Sequence, residues 1–262
     1  MKVMANNPKP GILKEQFIPD NVFIYIAEGG LRYFDGNKSD TLKAGECGIA
    51  RKNHLAKFEL LNTDEEFEPY VFCFDEPFLQ SFIKKHKVKI LGHDITDALF
   101  KVEPTPLIDD FIRSVRSYHK GFMQLDETFE DLKYEELLLI LLRNHPELSG
   151  ILFNFSIPQK INLEAYMNKN FRFNVSLKRF AFLTGRSISA FKRDFKSIYN
   201  ETPRRWLTKR RLEEAYFLLK KNQHKPSDIY LDLGFESLSH FSYAFKKEFG
   251  IAPTALNTKS LA

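Results

Sequence analysis

The chain has 262 residues, of which 43% are hydrophobic and 28% are charged. This composition is typical of a folded globular protein, and the length allows two ordinary domains, so a disordered chain is excluded. No apolar run is long enough to cross a bilayer, and the start at Met1 lacks the apolar core of a signal peptide. The two cysteines, Cys47 and Cys73, favour buried thiols over a disulfide, and we expect a cytoplasmic location.

Charge is divided unevenly along the chain. Residues 160–262 contain 20 Lys and Arg against 9 Asp and Glu, a net charge of +11, whereas residues 1–159 contain 19 against 25, a net charge of −6. A basic part of this size indicates a polyanionic partner, most often nucleic acid. The stretch around Pro158 is the expected boundary, with domains at 1–156 and 157–262.

The N-terminal part begins with short predicted strands at 21–27, 31–34, 47–50, 57–61 and 70–74, with a hairpin turn signal at Asp35-Gly36. This pattern is typical of a small sandwich or barrel. Five aromatic residues of these strands are expected either to line a small-molecule pocket or to fill the barrel. They are Phe23, Tyr25, Tyr33, Phe72 and Phe74.

Helical periodicity starts at Glu76, and two further helices are predicted after Pro106 and through Leu132–Leu142. The run 137–142 is apolar on all sides, which predicts burial on several sides. The run is either a core helix or a helix that also packs on a second subunit. Beyond residue 158, helices are predicted near 161–169, 176–184, 188–198, 203–221, 226–233 and 238–248.

The C-terminal part repeats its own pattern after 50 residues. Each copy has a glycine, Gly185 or Gly234, followed by a serine, two aromatic residues, a lysine and a proline. The matched positions are Ser187, Phe191, Phe195, Lys196 and Pro203 in the first copy and Ser237, Phe241, Phe245, Lys246 and Pro253 in the second. Each copy predicts a helix, a tight turn and a second helix, a unit that binds DNA when its second helix is polar or basic.

In the first copy, Ser176 and Ser187 are predicted helix caps, Gly185 allows the turn, and Asn200 is a left-handed helix end. With Ile188, Phe191 and Phe195 buried, the open face of the second helix carries polar and cationic side chains that can enter a major groove. These are Ser189, Lys192, Arg193 and Lys196.

In the second copy, Ser227 is the predicted cap of a helix that points Ile229 and Leu233 inward. The open face of the following helix has no Lys or Arg before Lys246, so we expect it to read bases more weakly or to contact the DNA backbone. That face carries Ser239, His240, Ser242 and Tyr243. Pro203 is expected to begin a linker helix that fixes the spacing of the two units.

Residues 161–256 resemble the DNA-binding domain of the AraC/XylS family of bacterial transcription regulators. The resemblance is carried by Gly185-Arg186-Ser187, Phe191 to Lys196, Arg211-Leu212, Leu233-Gly234-Phe235, Ser239 to Lys247, and Pro253. It implies two helix-turn-helix units that enter successive major-groove segments of double-stranded DNA. The chain departs from the family at Tyr243, where Arg is usual, and at Tyr230, where Ala is usual. The DNA-binding residues that it implies are Ser187, Ser189, Ala190, Lys192, Arg193, Lys196, Ser237, Ser239, His240, Ser242, Tyr243 and Lys246.

The N-terminal part more loosely resembles the cupin-like sensing domain of the same family, through residues 27–31 and 42–46. The implied fold is α+β: a small cupin-like β-barrel with flanking helices, followed by an all-α DNA-binding domain. The resemblance also implies a homodimer, RNA polymerase as a partner, activation of transcription, and a small-molecule or protein effector.

A cupin-type enzyme and a non-specific nucleic-acid binder are the less favoured alternatives to a specific regulator. His54 stands alone, whereas a metal site needs three or four ligands. The sequence also lacks a nucleophile–base pair and a phosphate-binding glycine loop. We therefore expect no metal, no cofactor and no catalytic residue.

Overall fold

The computed structural model describes residues 16–61, 66–92, 96–117, 127–221 and 224–260. The chain forms two compact units, Met1–Ser156 and Ile157–Ala262. Within the described ranges, no helix combines the length and the apolar character that a membrane span requires.

Antiparallel strands make up the first part of the N-terminal unit. A four-stranded sheet has the order β8-β2-β5-β9, a three-stranded sheet has the order β4-β3-β7, and β1 pairs with β6. The strands are β1 (Phe17–Ile18), β2 (Asn21–Glu28), β3 (Gly30–Phe34), β4 (Ser39–Lys43), β5 (Cys47–Ala50), β6 (His54–Leu55), β7 (Lys57–Leu60), β8 (Glu68–Phe74) and β9 (Leu99–Val102).

The four-stranded sheet is covered on both faces. On one face, Val22, Ile24 and Ile26 of β2 share a core with Tyr33 and Phe58 of the three-stranded sheet. The alternate residues of the same strands pack on the opposite face against helices. Because both faces are buried, β2 reads as a nearly continuous apolar run rather than as an alternating one.

This arrangement corrects one expectation from the sequence. Of the five aromatic residues expected inside the barrel, only Tyr33 lies in the core between the sheets. The other four, Phe23, Tyr25, Phe72 and Phe74, lie in the core between the four-stranded sheet and the helices. The barrel-filling alternative was wrong for these four because an unbroken apolar run does not reveal which layer covers each face.

Four helices complete the N-terminal unit: α1 (Glu76–His86), α2 (Pro106–Arg116), α3 (Glu127–Asn144) and α4 (Leu148–Leu152). The three long ones confirm the predicted helices. In α3, Leu137, Leu138 and Leu141 are fully buried, so this helix contributes to the core, as both alternatives for it require. Leu139 on the same helix is 44% exposed, so part of the apolar run faces outward.

The C-terminal unit is helical and confirms the predicted α+β class of the whole chain. Its elements are α5 (Leu163–Asn170), α6 (Leu177–Leu183), α7 (Ile188–Tyr199), α8 (Pro203–Lys221), α9 (Pro226–Ile229), α10 (Leu238–Phe249) and a 3₁₀ helix (Pro253–Ser260). The helix predicted at 226–233 ends at Ile229 and continues as a turn.

The long helix α8 packs on both halves of the C-terminal unit. Near its start, the Trp206 ring lies 4.7 Å from the Tyr199 ring of α7, measured between centroids. Near its end, Tyr216 stacks on Phe245 of α10, and Leu212 shares the core of the second half. Because one helix contacts both halves, it sets the distance between them.

Candidate nucleic-acid interface

Helices α6 and α7 form the first helix-turn-helix unit. The Ser176 hydroxyl accepts a hydrogen bond from the Arg179 amide at 3.3 Å, and the Ser187 hydroxyl accepts one from the Ala190 amide at 3.2 Å. Gly185 adopts a φ of +65° in the turn. At the end of α7, Asn200 is left-handed, with φ 53° and ψ 21°. The predicted caps, turn and helix end are all confirmed.

The two faces of α7 separate as the sequence predicts. Phe191 and Phe195 are completely buried, whereas Ile188, which was also predicted to be buried, is half-buried. The Arg193 side chain is 79% exposed. The other predicted contact residues of the open face are also exposed, except Ala190, which is half-buried; the exposed ones are Ser187, Ser189, Lys192 and Lys196. The structure thus brings three cations together on one accessible side of one helix.

Arg186 connects the turn of the first unit to α7, the second or recognition helix of that unit. Its Nη1 atom donates to the carbonyl oxygen of Thr184 at 2.6 Å and to that of Ile161 at 3.0 Å. Its Nε atom donates to Asp194 Oδ2 at 3.1 Å. The hydrogen bond from Arg186 lowers the pKa of the Asp194 carboxyl below its ordinary value, with smaller contributions from Lys160 and Arg193.

The second unit consists of α9, the turn at Gly234 and α10. Gly234 has a φ of +82°, and the Ser237 hydroxyl caps α10 by accepting from the His240 amide at 3.2 Å. The predicted cap at Ser227 is wrong, because Pro226 occupies the first turn and Lys225 is the N-cap residue. The Ser227 hydroxyl donates instead to the side chain of Asp228 at 2.8 Å.

The open face of α10 is accessible but largely uncharged. Tyr243 is 69% exposed, Ser239, His240 and Lys246 are exposed, and Ser242 is half-buried. The His240 ring lies edge-on to Phe235, with 5.7 Å between centroids. The basic residues of this helix lie in its last turn. The two units therefore present similar shapes with different chemistry.

Ser187 and Ser237 use their hydroxyls within the protein, so they serve first as caps. Sequence reasoning assigned no role to Arg211, which lies between the two units and hydrogen-bonds to main-chain oxygens of both flanking segments. Its partners are distant in sequence, and no short-range pattern marks them. Among the described residues, no group of three or more His, Cys, Asp or Glu is placed to hold a metal ion.

Two helix-turn-helix units on one linker helix, each with an accessible recognition helix, define a DNA-binding transcription regulator. The sequence profile of the ExsA N-terminal regulatory domain matches residues 21–151, and that of a helix-turn-helix domain matches residues 180–259. The chain belongs to the AraC/XylS family of transcription regulators. It is a sequence-specific DNA-binding regulator with a regulatory N-terminal domain.

Two relatives illustrate this membership. The HTH-type transcriptional regulator ExsA of Pseudomonas aeruginosa is 31% identical over 244 residues, which cover 90% of this chain and 84% of that protein. The virulence regulon transcriptional activator VirF of Yersinia enterocolitica is 30% identical over 136 residues, 50% of this chain and 49% of that one. The alignment with a crystal structure of an apo ToxT variant from Vibrio cholerae covers 95% of this chain and 92% of that chain, at 16% identity and a TM-score of 0.45.

Proposed function

We propose that this regulator activates transcription by inserting α7 and α10 into two successive major-groove segments on one face of a duplex. The observation that carries the proposal is the accessible cationic face of α7 on a helix that is capped at both ends. A capped helix keeps its side chains in fixed register, as base readout requires.

The first unit supplies most of the base reading. Arg193 is mainly exposed, and its 3.4 Å contact with Asp194 is too long to hold it firmly. Its guanidinium can therefore turn outward and pair with guanine in two hydrogen bonds. Lys192 and Lys196 reach guanine or phosphate, and Ser189 and Ala190 allow close approach of the helix.

The second unit contributes position and a weaker readout. Ser239, His240, Ser242 and Tyr243 offer neutral donors, acceptors and one exposed ring, while Lys246 is placed for a phosphate. Ser187 and Ser237 lie at the N-terminal ends of the recognition helices, where free backbone amides attract phosphate groups. The complete proposed contact set is therefore the one that the sequence predicts.

We further propose that residues 1–156 form a cupin-like sensor rather than an enzyme, and that residues 157–262 bind DNA in the cytoplasm. The match to a regulatory-domain profile supports signal reception. The exposed Leu132 and Leu139 of α3 support a homodimer through this helix. RNA polymerase as a partner and a small-molecule or protein effector follow from the family.

Selection from randomised duplex DNA at near-physiological salt tests the function. We expect the full chain to recover a motif of two elements about 10 bp apart, one per recognition helix. A motif with one element would limit base reading to α7. Recovery of no motif, with equal affinity for every sequence and a steep salt dependence, would contradict a specific regulator.

Arg193→Ala should weaken binding to the selected motif by about 1–3 kcal/mol and relax the preference at one base position, because a bidentate base contact is lost. The measurement is a set of binding isotherms on the motif and on its single-base variants. Arg205→Ala is the matched control, since Arg205 is an exposed arginine of α8 outside the recognition helices. Equal loss on all sequences by the Arg193 variant would rule out base reading by this residue.

A further inference from the structure

Arg211, in the middle of α8, connects this helix to two other parts of the C-terminal unit, the segment 171–173 and the turn at Gly234. Its Nε atom donates to the Phe171 carbonyl, its Nη2 atom to the Phe173 carbonyl and its Nη1 atom to the Gly234 carbonyl, each at 2.8 Å. The first two oxygens lie just before the first helix-turn-helix unit. The third lies in the turn of the second unit.

The chemistry of this site suits only a guanidinium. Burial lowers the pKa of Arg211 to about 10, so the group is still charged at neutral pH. All three hydrogen bonds go to neutral carbonyl oxygens arranged around one planar fork. A lysine ammonium is compact and cannot reach three such separated acceptors in one plane.

The second turn is packed directly against this group. A Cβ atom at Gly234 would lie 2.8 Å from Arg211 Cζ and 2.7 Å from the Arg172 carbonyl oxygen. The segment 171–173 is held to α8 at two more points. Arg172 Nη2 lies 2.5 Å from Glu214 Oε1, and the Arg210 guanidinium lies 4.7 Å from the Phe171 ring centroid.

The two units differ in how their turns are fastened. In the first unit, the residue after the turn glycine is Arg186, which binds its own turn and its own recognition helix. In the second unit, that position is Phe235, which is buried in the core. The second turn instead receives its guanidinium from α8, the helix that also carries the first unit.

We propose that Arg211 is a positioning residue that fixes the distance and rotational phase of α10 relative to α7, and so sets the base-pair spacing accepted between two DNA elements. The inference rests on the proposed function, in which both units read one duplex. One base pair changes the separation of two elements by about 3.4 Å and their rotation by about a tenth of a turn. A fixed phase therefore translates into a sharp spacing preference.

The test compares the wild type, Arg211→Lys and Arg211→Met on selected two-element duplexes whose spacer is shortened or lengthened by one or two base pairs. A duplex with only the first element is measured in parallel. We expect the wild type to lose about tenfold in affinity for each wrong spacing. For each variant, the affinities for duplexes of all spacings should lie within about twofold of one another. Both variants should keep wild-type affinity for the duplex with the single element.

Arg204→Lys is the matched control, because it makes the same change at an exposed position of the same helix. It should keep the wild-type spacing profile. If the Arg211 variants keep the sharp profile while losing affinity on every duplex, the residue is only a stabiliser and the inference is overturned. Arg211→Lys keeps the charge, so its result stands if Arg211→Met does not fold. A wild type without spacing preference would instead overturn the two-element function itself.

Discussion

Arg186 has a side chain that is only 8% exposed, yet it carries a full charge. Its contact with the Asp194 carboxylate attaches the first turn to α7, and its contacts with two carbonyl oxygens hold it to the turn at Thr184 and to the segment at Ile161. Asp194 also lies beside Arg193, at the edge of the proposed DNA-binding face of α7. One carboxylate thus stabilises the unit and reduces the positive charge near its proposed base reader.

The lowered pKa of Asp194 predicts a specific acid dependence. A carboxyl whose pKa is lowered on folding adds stability above its unfolded pKa, near 3.9, and loses it as the pH falls through the folded value. The unfolding free energy of the wild type should therefore exceed that of Asp194→Asn by a constant amount from neutral pH down to about 5.

Below that pH, the difference between the two proteins should shrink. The measurement is urea unfolding at a series of pH values, and Arg186→Gln in both backgrounds completes a double-mutant cycle. If the coupling energy between Arg186 and Asp194 is unchanged at pH 3, their ion pair does not cause the pH dependence of stability.

At the level of elements, the turn of the first unit is shaped by a crossing segment. A Cβ atom at Gly185 would lie 2.3 Å from the Gln159 carbonyl carbon and 2.4 Å from the Lys160 nitrogen. Both are main-chain atoms that no rotamer change can move away. The segment that enters the C-terminal unit therefore passes directly over the turn, and only glycine fits beneath it.

Gly185→Ala and Gly250→Ala form a matched pair. Both positions have positive φ, +65° and +74°, so both alanines incur the left-handed backbone cost of about 1–2 kcal/mol. At Gly250 nothing lies within 4 Å of the added Cβ, whereas at Gly185 main-chain atoms must move. Urea unfolding should show Gly185→Ala to be at least about twice as destabilising. Equal losses would mean that the crossing segment moves freely.

Much of the element pattern could be predicted from the sequence, because caps, periodicity and turns are local. Asn200, Ser187 and Pro203 were recognised as element ends from their own chemistry. The sequence does not predict strand β9, since its four residues gain strand character only by pairing with β5, whose paired residues lie 49 to 55 positions away. The sequence mispredicts the cap at Ser227 because Pro226 places the N-cap two positions earlier, at Lys225.

The open face of α7 was also predictable, because a buried stripe at helical spacing fixes the opposite face. The role of Arg211 was not, since its partners lie 23 to 40 residues away and are main-chain atoms without a sequence signature. The layer that covers Phe23 and Phe72 depends in the same way on tertiary packing. The features of the site that the sequence does not predict are therefore those that depend on contacts between residues far apart in sequence.

For the whole molecule, two compact units of opposite net charge share one chain, and the single tryptophan, Trp206, lies in the basic one. Its ring contacts Tyr199 and Phe195, so its fluorescence reports the packing of α7 on α8. Far-UV circular dichroism reports both units together.

A DNA ligand binds the folded C-terminal unit and not the unfolded chain. It should therefore raise the unfolding free energy of that unit alone, and Trp206 fluorescence reports the unfolding of that unit. With duplex at about 100 times its Kd, the shift should be about 2.7 kcal/mol in the unfolding free energy of that unit. Fluorescence and circular dichroism should then give non-coincident curves. A common shift of both signals would show that the units unfold as one.

The two turns are held by arginines at different distances along the chain, Arg186 and Arg211, and this difference has a consequence for synthesis on the ribosome. The hydrogen bonds and ion pair of Arg186 join residues between Ile161 and Asp194, all made within a short stretch of chain. The hydrogen bond from Arg211 to the Gly234 carbonyl can form only after Gly234, which is made 23 residues later, has been added to the chain. Because chains fold as they emerge, we expect the first unit to complete its polar contacts before the second turn leaves the exit tunnel. We therefore expect the folding order to follow the same asymmetry as the proposed base reading, with the first unit leading.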